Sequence, residues 1–277
     1  MSTMKFDQIR QGVRKSYASV ANANAEGCCG PNTCCGDSGL QLTAELSTLM
    51  GYSQADLDLL PEGANMGLGC GNPQAIAELK SGETVLDLGA GGGVDCFLAA
   101  LKVGKEGFVI GVDMTPDMVS KARANAEKGD FPQVDFRLGE IENLPVGDGL
   151  VDVILSNCVI NLSPDKARVF REAFRVLKPG GRLAISDVVA TAPIPDEIRN
   201  DSQLYSACVS GAEHMAVLGE LMEAAGFERV RIVPKDSSRE LVKKWAPGMG
   251  LDDLVTSASI QAVKPGGEPC CGPGCCD

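Results

Sequence analysis

From Thr84 onward the chain alternates short apolar, β-branched runs with stretches of helical periodicity, and few folds can be built from that alternation. Strand-like runs fall at 84–88, 108–112, 134–138, 151–156, 182–187, 228–233 and 257–263, with helical spacing at 94–103, 116–128, 165–177 and 213–225. The pattern predicts an α/β fold, a doubly wound, mainly parallel seven-stranded sheet. Such sheets take ligands outside the carboxyl ends of their strands, where strand order reverses. The loops at those ends are 89–93, 113–115, 139–142 and 157–161.

Residues 1–64 are expected to form an N-terminal helical and Cys-rich extension, 65–235 the ligand-binding domain, and 236–277 a C-terminal appendage with a final strand and a Cys-rich tail. In the extension Ile9, Val13, Tyr17 and Val20 are spaced as one face of an amphipathic helix, and Leu42, Leu46 and Leu49 as a second over 40–50. Ser53 is placed to cap a brief turn at 54–60. Pro73 suits the first position of a helix over 74–79, which sets Cys70 just ahead of a helix N-terminus, where the dipole lowers a thiol pKa. His214 reads as a polar helix-start residue, and Asp56 and Asp58 as solvated surface.

A net charge of −12 and the lack of any basic run exclude nucleic acid and anionic membranes as natural partners. The first residues, MSTMKFDQIRQG, hold no apolar signal core, and no run approaches about 18 apolar residues, so neither export nor membrane spanning is expected and the protein is placed in the cytoplasm. In that reducing compartment twelve cysteines point to metal, metalloid or redox chemistry rather than to disulfides. With one histidine, a Cys/His zinc finger or a Ser-His-Asp triad has little to work with. Two vicinal clusters stand out: Cys28, Cys29, Cys34 and Cys35 in EGCCGPNTCCGDSG, and the terminal CCGPGCCD. A closed four-thiolate zinc site is one reading, but adjacent cysteines fit zinc spacing poorly, and capture of a soft, thiophilic ion fits better.

The loop after the first strand would bring backbone N–H groups and a helix N-terminus against an anionic group of a ligand. Its spacing excludes the dinucleotide fingerprint, because G-x-G-x-x-G from Gly89 needs glycine at 94 and Val94 stands there. Asp113, 24 residues after Gly89, sits where an acid accepts hydrogen bonds from ribose hydroxyls and repels a 2′-phosphate.

The run D-x-G-x-G-x-G over 87–93, the acid after the second strand, GEIE over 139–142, Asn157-Cys158 and RVLKPGGRLAISD over 175–187 together resemble class I S-adenosylmethionine (SAM) methyltransferases, a Rossmann-like superfamily. The resemblance implies SAM as cofactor, bound by Asp87, Gly89, Gly91, Gly93, Asp113, Met114, Glu140, Ile141 and Asn157, with Glu140 beside the adenine. It narrows further over roughly 60–235. NMGLGCGNP, VLDLGAGGGVDCFLAA, GVDMTPDM, FRLGEIENLPV, SNCVINLSPDK and YSACVSGA are similar to arsenite methyltransferases of the prokaryotic type. Cys70, Cys158 and Cys208 match that family's three arsenite-binding cysteines, and Cys34 or Cys35 its additional N-terminal redox cysteine, with Cys28 and Cys29 as further capture thiols. Ala90 and Gly92 stand where the family commonly has Ser and Ala. Cys96, in VDCFLAAL, reads as core.

Trivalent arsenic is soft and suits three thiolates, and its lone pair can take the sulfonium methyl without a general base. The step oxidises arsenic formally, so the resemblance implies a thiol reductant, thioredoxin or glutathione, as partner. Methylation of another small molecule, or thiol-rich metalloid binding without catalysis, are the alternatives. Single Cys→Ser changes at 70, 158 or 208 are expected to abolish arsenite methylation, and full activity of Cys158→Ser would sink the three-thiolate arrangement.

Overall fold

Alternate residues of each apolar run face opposite sides of one sheet, and helices cover both sides. The structure, a computed structural model, describes residues 3–22, 38–235, 238 and 250–266. The strands are β1 (Thr84–Leu88), β2 (Phe108–Asp113), β3 (Val134–Leu138), β4 (Val151–Asn157), β5 (Leu177–Ala190), β6 (Glu228–Pro234) and β7 (Val255–Val263), in the order β3-β2-β1-β4-β5-β7-β6. β1 pairs in parallel with β2 on one side and β4 on the other, with Leu86 opposite both Ile110 and Ile154. β7 runs antiparallel between β5 and β6. The order reverses between β1 and β4, which opens a crevice at their carboxyl ends.

The helices are α1 (Thr3–Asn22), α2 (Ser38–Met50), α3 (Gln54–Leu57), α4 (Gln74–Ala77), α5 (Val94–Val103), α6 (Pro116–Gly129), α7 (Lys166–Val176), α8 (Asp196–Arg199), α9 (Ser202–Ser206) and α10 (Met215–Ala224). Leu86, Ile154 and Ile185 pack with Phe170 of α7 and Leu218 and Met222 of α10. The neighbouring strand residues Val85, Val153 and Ala184 pack instead with Phe97 and Ala100 of α5 and Val119 of α6. Every one of these side chains is buried, which is the near-continuous apolar pattern of strands covered on both faces. Cys96 lies inside this second layer, fully buried, as its sequence context implied.

Three local readings need adjustment. β5 starts before Arg182, with Leu177 already paired to Val151, and runs on to Ala190 opposite Val255, because Val188, Val189 and Ala190 are themselves buried. The helix expected over 74–79 is the single turn Gln74–Ala77, closed by Glu78 in the left-handed region at φ 48°. One turn carries too small a dipole to tune Cys70. α10 begins at Met215, with His214 as N-cap accepting the Ala216 amide through Nδ1. Ser53 caps α3 as expected, accepting the Asp56 amide at 3.1 Å. Among the described residues no helix is long and apolar enough to cross a membrane.

Phe97 is fully buried and meets Phe131 and Phe136 at centroid distances of 4.7 and 5.8 Å. Phe97→Ala should destabilise the fold by about 3–5 kcal/mol, read as a lower denaturant midpoint with unchanged slope.

Candidate active site

At the carboxyl ends of β1, β2 and β4 lies a cleft of about 1090 Å³, counted with the solvent at its mouth. Asp87, Gly89, Gly91, Asp113, Met114, Ile141 and Asn157 all line it. Gly89 adopts φ 70°, and a side chain there would run into Val159, so only glycine lets the β1 turn and the β4 loop approach each other. Three of the turn amides are already engaged. Those of Gly89 and Ala90 donate to the Val112 carbonyl at 2.7 and 3.0 Å, and that of Gly91 to Asp113 Oδ2 at 3.0 Å. Those three amides do not offer an anion cradle, and Asp87, Asp95, Asp113 and Glu142 stand in the cleft lining together with Arg10.

Two expected cofactor residues are not among those that line the cleft. Gly93 is the N-cap of α5, where a side chain would strike Phe97 and Phe136, so it serves packing. Glu140 is outside the lining and pairs with Arg10 and Arg14 of α1. Glu142, two residues on, takes the place by the cleft, 4% exposed, receiving Ser163 Oγ at 2.7 Å and the Arg10 guanidinium at 3.1 Å. Arg10, Val13 and Tyr17 of α1 also line the cleft, so the N-terminal helix is part of its wall.

The three cysteines on separate loops converge beside this cleft in one buried cluster with Val13, Leu162, Val188 and Leu204. Cys70 and Cys158 are joined as a disulfide across a Cα–Cα distance of 5.8 Å. Cys208 is a free thiol that donates to the Cys158 carbonyl at 2.7 Å. Both Cys158 and Cys208 hold left-handed backbone, at φ 58° and 62°. Cys158 lines the cleft as well, so cleft and thiol cluster share a wall.

A tighter group at the thiol cluster is formed by the sulfurs of Cys70 and Cys158 and the Asp187 carboxylate, which lie within 4.8 Å of one another, while the Cys208 sulfur stays outside that group on the Cys158 carbonyl. Burial pushes Asp187 up to about 6, against the Val188 and Ile160 amides and the Lys166 charge. The Cys208 thiol is raised first by burial and then by the Asp187 charge, and Lys166 opposes this. Burial in turn lowers Lys166, against Glu213 and Asp187. Burial raises Asp95 to about 6 as well, opposed by hydrogen bonds from Tyr52, Gln74 and Asn157.

Residues 79–233 match a family model described as a methyltransferase domain. An arsenite methyltransferase of Halobacterium salinarum is 48% identical over 270 residues, covering 94% of this chain and 67% of that protein. The chain belongs to the arsenite methyltransferase family. The Mus musculus member is 33% identical, covering 95% of this chain and 69% of its own length. A solved arsenic(III) S-adenosylmethionine methyltransferase of Chlamydomonas reinhardtii superposes with a TM-score of 0.56 at 33% identity, covering 79% of this chain and 72% of that one.

The cleft suits this family's cofactor on its own chemistry. SAM carries a cationic sulfonium and ammonium, which an acidic lining balances, and Asp113 offers acceptor oxygens for ribose hydroxyls. Family resemblance also singles out Cys28, Cys29, Cys34 and Cys35, which lie outside the described residues, as does the terminal CCGPGCC. Tyr52, Asp95, Glu142 and Asp187 were not singled out as site residues. Asp187 stood in plain view at the end of RLAISD, but Tyr52 gave no signal, because its contacts at the site are far away in sequence.

Asp95 and Asp187 have folded values of about 6 against an ordinary 3.8. The folded chain therefore keeps protons that the unfolded chain has released between those values, so their favourable contribution is full below about pH 4 and is lost as pH rises through about 6. Wild type should lose stability relative to Asp95→Asn between pH 4 and pH 7 in denaturant titrations, and a pH-independent gap would contradict this.

Proposed function

We propose that the chain transfers methyl groups from SAM to trivalent arsenic held by Cys70, Cys158 and Cys208, and the observation that carries this is the convergence of those three residues beside the acidic cleft. Bound in the cleft, SAM supplies an electrophilic methyl group. Asp87, Asp113, Met114, Ile141 and Asn157 line the space for it. Glu142 adds a carboxylate to the same lining.

Loading the substrate consumes no external base. Each thiol that displaces an arsenite hydroxyl forms an As–S bond, and its proton leaves with the hydroxyl as water. A raised Cys208 pKa is therefore compatible with binding, since the thiol proton is needed by the leaving group. Once held by three sulfurs the arsenic has no proton to lose, and its lone pair is the nucleophile. The residues around it contribute position, and orienting two reactants can supply about 7–11 kcal/mol of the barrier.

The Cys70–Cys158 disulfide is the oxidised form of two of these ligands, so a thiol donor must deliver two electrons and two protons before arsenite can load. We assign that role to a dithiol or glutathione-type reductant, which also returns arsenic from the pentavalent state after methyl transfer, and we place the reaction in the cytoplasm. Purified protein given SAM, arsenite and a dithiol should release methylated arsenicals resolvable by chromatographic speciation. Without the dithiol, the disulfide form should release no methylated arsenical. Methylated product from the oxidised protein without a reductant, or arsenite binding without any methylated product under reducing conditions, would overturn the assignment.

A further inference from the structure

Tyr52 follows α2 and is 4% exposed, its ring packed with Met50 and Leu98 against Leu46, Leu57 and Val94. Its hydroxyl donates to the Asp95 carboxylate, at 3.0 and 2.9 Å from the two oxygens, and accepts from Asn157 Nδ2 at 3.0 Å. Asn157 in turn grips the Cys70 turn. Its Nδ2 also donates to the Gly71 carbonyl at 2.7 Å, while its Oδ1 accepts the Cys70 amide at 3.0 Å. Gly69 packs so closely on that amide group that a side chain there would sit 2.8 Å from Nδ2.

Hydrogen counting fixes the orientation of this amide. Nδ2 has two hydrogens, one spent on Tyr52 and one on Gly71, and Oδ1 has the Cys70 N–H. The single Tyr52 hydrogen goes to Asp95, which leaves the hydroxyl able only to accept from Asn157. A flipped Asn157 would set its NH₂ against the Cys70 amide and its oxygen against the Gly71 carbonyl. Asp95 is itself anchored in the first turn of α5, where Gln74 Nε2 donates to its carbonyl at 2.8 Å. A rigid helix thus dictates, through one hydroxyl, where a cysteine loop stands.

We propose that Tyr52 is a positioning residue for methyl transfer: by locking Asn157 it holds the Cys70 turn at a fixed place relative to the cofactor cleft, which Tyr52, Asp95 and Asn157 all line. The proposal rests on the function assigned above. Its consequence is geometric, because a misplacement of about 1 Å can cost about 100-fold in rate while leaving binding nearly intact. Arsenite affinity depends on sulfurs that can still close around the atom; rate depends on where the atom then stands.

Tyr52→Phe keeps the packed ring and removes only the hydroxyl. In the full chain with SAM, arsenite and a dithiol, kcat should fall about 10-fold or more while KM for both substrates stays within about threefold. Amide exchange of the peptide carrying Cys70 and Gly71 should quicken, with β1 unchanged. Asn157→Asp, which keeps the acceptor for Cys70 and removes both donors, should show the same local gain in exchange and serves if Tyr52→Phe does not fold. Unchanged kcat, a loss confined to KM, or unaltered exchange at Cys70 would overturn the proposal. A wild type that methylates no arsenic would sink the assigned function instead, and the exchange comparison would still decide the anchoring.

Discussion

A buried carboxylate in the last third of β5 organises the ground on which the thiols stand. Asp187, 1% exposed, accepts the Ile160 amide on Oδ2 at 2.9 Å, and the Val188 amide and Asn161 Nδ2 on Oδ1 at 2.7 and 3.0 Å. An ionised carboxylate taken out of water needs such donors, since an unpaired one would neutralise or not be buried at all. Asn161 Nδ2 then reaches the Val188 carbonyl at 2.6 Å and the Cys208 carbonyl at 3.3 Å. The loop carrying Cys158 and the loop carrying Cys208 are thereby referred to the same stretch of β5. Without that shared reference, three sulfurs from segments far apart in the chain would have no common frame.

Cofactor chemistry and thiol chemistry meet on this frame through shared residues rather than through proximity alone. Asn157 lines the cleft and grips Cys70, while Cys158 belongs to both the cleft wall and the thiol cluster. α1 closes the arrangement from outside: Arg10 and Arg14 reach the acids after β3, and Tyr17 donates to the Ser206 carbonyl at 3.3 Å beside Cys208. What reads in sequence as a peripheral amphipathic helix is a wall of the site. Burial of these groups explains the electrostatics too, since Asp95, Asp187 and the Cys208 thiol are all shifted toward their neutral forms by desolvation first.

The sheet was legible because strands buried on both faces leave uninterrupted apolar runs, and β1 and β3 match their expected limits. β5 was less so, because Pro179-Gly180-Gly181 reads as a break although the strand continues through it with a register shift at Val151. In the acidic segment after β3, both Glu140 and Glu142 were visible, but nothing local tells which carboxylate turns toward the cleft. That depends on Arg10 and Arg14, brought from 126 to 132 residues away. Tyr52 was silent for the same reason, lying 105 residues from Asn157. Local pattern reports which residues are buried; it does not report which distant polar group a buried one will meet. Cys208 was singled out by family likeness together with its place after the fifth strand, not by any spacing of its own.

The left-handed backbone at Cys158 and Cys208 ties their chemistry to their history. A side chain in that region costs about 1–2 kcal/mol, and glycine or asparagine would occupy it more comfortably. Sulfur at these two positions is therefore held against a steady conformational pull. Were the need for thiols to lapse in some descendant, selection for stability alone would draw both positions toward Gly or Asn. Such a pair of replacements, with the loops otherwise intact, would mark a relative that has kept the fold and abandoned the metalloid.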